Sequence, residues 1–226
     1  MSFFSTHVRL TPVSFQDAEA GLSRALAYLE EHLRFKLYDA ESDRLAYATA
    51  KRKLETLTRP SEEELRNHYG WMRMEGDLDL GDSTHGVTGY VFPSGEGEAS
   101  FALRLGGSVY ESLYCSHPVY QGEINDEMAR DLIGLSHTLG TLFGAAGFLY
   151  TTVPDVLTPV PIDELTALMT GHDENLIETN TIILAGVRES IVPLREVESV
   201  WRKENLAVST SGFVVLNLFL PYPSSE

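Results

Sequence analysis

Hydrophobic residues recur at intervals of three and four through the first part of the chain and at intervals of two beyond it. The sequence therefore predicts a helical beginning followed by sheet-forming segments. Phe3 to Leu10 reads as a short strand, closed by Pro12. Phe15, Leu22, Ala25, Leu26, Leu29, Leu33 and Leu37 then follow one helical face, with Glu19, Arg24, Glu30, Glu31 and Arg34 elsewhere, and Ser14 is placed to cap the first turn. A second helix is expected from about Asp43 to Leu57, ended by Pro60, and Ser61 with Glu64 forms a capping-box pattern for a third.

At Gly70-Trp71 the period changes. Trp71 to Leu80, Val87 to Phe92, Ser100 to Leu105 and Val109 to Cys115 read as an antiparallel meander, with turns at Gly81-Asp82, Ser94-Gly95-Glu96-Gly97 and Gly106-Gly107. Asn125 is placed to cap a helix reaching about Phe143, with Met128, Leu132, Leu135 and Leu139 inward, and Phe148 to Val153 returns as a strand. Three prolines between Pro154 and Pro161 make that stretch the candidate subdomain boundary. Beyond it the pattern predicts a helix over Ile162 to Met169, a buried strand at Thr181 to Val187 and a helix from Leu194 to about Lys203. Two further strands, Leu206 to Thr210 and Phe213 to Leu220, would be joined at Ser211-Gly212. The expected class is α+β: N-terminal helices packed on a largely antiparallel sheet in one domain spanning 1–226, with a candidate small α+β subdomain at its C-terminal end.

Composition changes this picture at one point. The chain carries 33 Asp and Glu against 17 Lys and Arg, a formal net charge of −16. Acids recur along the whole length rather than in a tail, so a broadly negative surface is expected. Such a field repels nucleic acid and anionic membranes and speeds encounter with a basic partner; it also simply keeps a protein soluble. A single cysteine, Cys115, excludes an internal disulfide, and the N-terminal Met-Ser-Phe-Phe-Ser-Thr-His lacks the form of a signal peptide. The most apolar stretch, Leu139 to Val153, falls short of the roughly 20 residues that span a bilayer. The expectation is a cytoplasmic protein that contacts neither nucleic acid nor membrane.

Candidate chemistry is sparse. Gly95-Glu96-Gly97-Glu98 lacks the third glycine of a phosphate loop and sets acids where phosphate would sit. Gly106-Gly107-Ser108-Val109-Tyr110 partly matches a nucleophile elbow, but Tyr110 replaces the second glycine and a strand-to-helix context is not expected there, which favours a turn serine. Cys115 and His117 would be the pair for a small hydrolase, against the plainer reading of a buried thiol beside a strand-ending histidine. Asp77, Asp79 and Asp82 have the wrong spacing for a calcium loop, because Gly81 takes the fifth position. His172-Asp173-Glu174 does not match a zinc-protease helix. No metal or other cofactor is expected, and a non-enzyme is the reading adopted.

The helix of Phe15 to Leu37 after a short strand, the Gly89-Tyr90-Val91-Phe92 strand, the glycine turn and the run from Ala99 to Gly107 together resemble the immunity protein 52 family, over roughly the first 120 residues. Members of that family neutralise polymorphic toxins, including effectors of type VI secretion. The resemblance implies a non-catalytic partner of a cognate toxin, a nuclease with a basic surface, blocked at its active site or substrate cleft. The candidate toxin-binding residues are Asp77, Asp79, Asp82, Glu96 and Glu98, with Trp71 and Tyr90 near them in sequence. The hydrolase using Cys115 and His117, and an adaptor of a secretion apparatus, stand as alternatives.

Overall fold

The computed structural model describes residues 6–33, 36–37, 72–113, 125–151, 158–171, 182–209 and 211–218. The helices expected at Asp43 to Leu57 and after Ser61 lie outside this set, as do Trp71, Cys115, His117 and the 172–174 triplet. Among the described residues ten strands form one sheet, and every ladder in it is antiparallel.

The chain opens with β1 (Thr6–Leu10) and the two-residue β2 (Val13–Ser14). Ser14 then caps α1 (Phe15–His32), its Oγ accepting from the Asp17 N–H at 3.1 Å. The apolar spacing buries Ala18, Leu22, Ala25 and Leu29. This helix stops at His32, five residues before the end its periodicity suggests, because Leu37 is drawn into β3 (Lys36–Leu37). A meander follows: β4 (Met72–Leu80), β5 (Ser83–Gly95) and β6 (Glu98–Leu105).

The strand expected at Val109 to Cys115 is instead α2 (Gly107–Leu113). Val109 and Leu113, both fully buried, are four apart and share a helical face. Asn125 caps α3 (Asp126–Phe143) by accepting from the Glu127 and Met128 N–H groups, each at 3.1 Å. Gly144, at φ +69°, ends it, and β7 (Gly147–Thr151) returns.

Beyond the proline-rich stretch come α4 (Ile162–Met169), β8 (Ile182–Arg188), the single turn α5 (Leu194–Val197), a 3-10 turn at Lys203–Asn205, β9 (Leu206–Val208) and β10 (Phe213–Asn217). The helix expected to reach Lys203 is therefore only one turn long. Sheet order is β3-β4-β5-β6-β1-β7-β8-β10-β9, with β2 beside β6, so one continuous sheet runs through both sides of the proline-rich stretch.

Alternation assigns the faces. Leu78, Leu103, Leu105, Val8, Phe148, Tyr150, Leu184 and Phe213 bury against α1 and α3. Leu149, Ala185, Val187, Val214 and Leu216 point the other way and bury against α4 and α5. The strands β8 and β10 thus lose water on both faces, which explains why they read as unbroken apolar runs rather than alternating ones. A smaller cluster of Tyr90, Phe92 and Ala102 lies on the second face at β5 and β6. Arg9 in β1 is buried there too, and its guanidinium donates to the Thr158 carbonyl.

The two long helices touch closely. A Cβ on Gly21 would sit 2.6 Å from Phe143 Cδ1 and 2.8 Å from Phe143 Cα, so α1 needs glycine at this crossing. Phe143 also stacks on Phe101, centroids 4.6 Å apart, and Arg24 donates to the Leu142 carbonyl at the end of α3. Gly21→Ala is expected to cost about 1–3 kcal/mol through overpacking. Gly134→Ala in α3, where a Cβ meets nothing within 4 Å, should instead gain about 0.5–1 kcal/mol by helix propensity. Urea midpoints moving in opposite directions would check both.

Candidate functional site

The acidic hairpin forms because Leu80 pairs with Ser83 across the two-residue turn Gly81-Asp82, and Gly81 takes φ +55°. Leu78 and Leu80 are fully buried against the helical layer, so the intervening Asp77 and Asp79 face the opposite side and are half-buried, while Asp82 is exposed at the tip. Thr84 donates its hydroxyl to Asp79 Oδ1 at 2.6 Å. The tip is pinned from α3, where Asp131 Oδ2 accepts from the Gly81 N–H at 2.8 Å. Behind it the Asp79 N–H donates to the Leu33 carbonyl at 3.0 Å, tying β4 to the end of α1. The hairpin thus carries Asp77 and Asp79 on one face of the sheet and Asp82 at its tip, while Asp131 holds the turn from the helical side.

Glu96 and Glu98 belong elsewhere. Strand β5 has 13 residues, and at about 3.3 Å per residue it carries them roughly 40 Å from the Gly81 turn. Their own turn, with Gly97 at φ +76°, docks beside the start of α1 through the Phe15 N–H, which donates to the Gly97 carbonyl at 3.2 Å. Both are exposed, and Glu98 lies opposite Ser14, whose hydroxyl donates to Asp17 Oδ2. A standard interface buries about 800 Å² per partner, a patch about 30 Å across, so the two acidic ends do not fit within one. Tyr90 lies midway along β5 and is 2% exposed, an interior ring rather than a surface anchor. Of the residues singled out from sequence, Asp77, Asp79 and Asp82 share the β4–β5 hairpin, and Asp131, which no sequence motif marks, ties its turn to α3.

A second constellation lies where the sequence favours a turn serine. Strand β6 ends at Leu105, Gly106 intervenes, and α2 begins at Gly107, so Ser108 sits in the first turn of a helix that directly follows a strand. Gly106 permits the close approach: its N–H donates to the Gly86 carbonyl at 3.0 Å, and a Cβ there would meet that oxygen at 3.1 Å. One residue back on β5, His85 is 2% exposed and its Nδ1 lies 2.9 Å from Ser108 Oγ. Burial pulls the His85 pKa below its ordinary 6.5, against the opposing influence of the Leu80 backbone and the Asp79 carboxylate. The glycine pair before Ser108 was the available sequence signal; the histidine contact arises only from strand pairing.

Among the described residues no group of three or more His, Cys, Asp or Glu is arranged to hold a metal ion. No helix among them is long and apolar enough to cross a membrane. Compared with protein-family models, curated proteins and solved structures, the chain shows no match.

His137 on α3, hydrogen-bonded to Ser211 at 3.3 Å, is likewise held below 6.5 by burial. Both rings favour the neutral form in the fold, while the unfolded chain takes up protons near 6.5. Their contribution is thus intact above about pH 7 and is lost as pH falls below 6.5. Urea titrations at pH 7.5 and 5.5 should show a smaller acid-side loss for His137→Gln than for the native chain, and equal losses would refute the assignment.

Proposed function

We propose that this chain is a binding protein that neutralises a cognate bacterial toxin in the cytoplasm, a role that needs no catalysis. The toxin would be a nuclease delivered by type VI secretion, and the chain would occupy its basic active site or substrate cleft. The observation that supports the reading is the acidic β4–β5 hairpin, with Asp77, Asp79 and Asp82 along it and its turn tied to α3 through Asp131. Carboxylates displayed along such a hairpin complement a cationic cleft. The net charge of −16 supports the same partner by steering it from a distance. The resemblance to the immunity protein 52 family agrees in role. The surface proposed is narrower than the sequence suggested: it centres on the β4–β5 tip and leaves out Glu96, Glu98 and Tyr90.

Where a gene adjacent to this one encodes a toxin, co-expression should rescue growth, and the purified pair should associate faster at low salt. Asp79→Lys with Asp82→Lys should slow association at least about tenfold, whereas Glu96→Lys with Glu98→Lys should leave it within about twofold. Equal effects of the two pairs, measured by stopped-flow or surface plasmon resonance, would remove the hairpin tip from the interface. Failure of any neighbouring product to bind would remove the immunity role itself.

A further inference from the structure

Ser108 and His85 form a second arrangement that a binding role does not use. Ser108 is exposed, whereas the imidazole facing it is 2% exposed and fixed by its strand. The separation of 2.9 Å between Ser108 Oγ and His85 Nδ1 is a hydrogen-bond distance, and in the tautomer with Nδ1 unprotonated the serine hydroxyl is the donor. The strand–glycine–helix passage through Gly106 presents the serine outward over the histidine. Ser108 differs from an elbow nucleophile in being helical and in having Tyr110 two residues on, so its activation rests on the histidine rather than on backbone strain.

The geometry points to Ser108 as an activated nucleophile with His85 as its general base, able to cleave small uncharged carboxylic esters. Ser108 Oγ attacks the ester carbonyl carbon while His85 Nδ1 takes the hydroxyl proton. Collapse of the adduct breaks the bond to the alkoxide, which leaves with that proton as an alcohol. Water then attacks the acyl-serine, gives its proton to His85, and the acid departs as Ser108 recovers its hydrogen. The sum is ester plus water giving acid plus alcohol. Because burial lowers the pKa of His85, the ring is in the base form at neutral pH.

The test uses the full chain with an uncharged alkyl fluorophosphonate, followed by peptide mass spectrometry, and with 4-nitrophenyl acetate for turnover. The expected result is a single adduct on Ser108, absent in Ser108→Ala, formed at least about 100-fold faster than in the urea-unfolded chain. His85→Gln should slow labelling by a similar factor. In the native chain the labelling rate should rise with pH through a titration below 6.5 and then level, a readout that stands even where the His85 variant folds poorly. Labelling at another residue, or a Ser108 rate no greater than in the unfolded chain, overturns the proposal. Neither result bears on toxin binding, which is measured separately.

Discussion

The arrangement depends on β1. This strand of five residues is buried along its whole length and lies between β6 and β7, which come from distant parts of the chain. No water reaches its backbone, so its N–H and C=O groups must be satisfied by both neighbours at once. Val8 faces Leu103 on one side and Tyr150 on the other, and the buried Tyr150 hydroxyl donates to Thr6 Oγ1 at 2.9 Å. Without β1 the meander β4-β5-β6 and the group β7-β8-β10-β9 would be two sheets with open edges. With it, α1 and α3 can cover one face across the join, and their contact at Gly21 and Phe143 becomes possible.

Much of this was legible in the sequence, for reasons that can be stated residue by residue. Helices α1 and α3 were visible because Ser14 and Asn125 supply capping oxygens and the apolar residues follow at helical spacing. The meander was visible because glycines mark its turns. Helix α2 was misread because Tyr110 and Tyr114 favour strands while the decisive pair, Val109 and Leu113, is only one helical repeat long. The end of α1 was misplaced because Leu37 satisfies the helical period equally well as a residue of β3.

The candidate sites show a different limit. Proximity in sequence joined Asp82 to Glu96, but β5 is longer than its apolar run, extending through Ser83 and Gly95, and so it drives them apart. Proximity in space joined Asp131 to Gly81, and His85 to Ser108, through pairings that no local pattern encodes. The turns and the charges are thus legible locally, but which of them meet is not, because meeting is decided by strand register and by the helix laid across it.

The bond from Gly81 to Asp131 has a mechanical consequence. A two-residue turn at the end of a long hairpin would ordinarily swing on its strands. Here one side is latched to α3, whose inner face is locked into the core through Leu132, Leu135 and Leu139. A load applied at the tip is therefore shared with the helix and passed into the centre of the molecule, so the tip behaves as a strut instead of a lever.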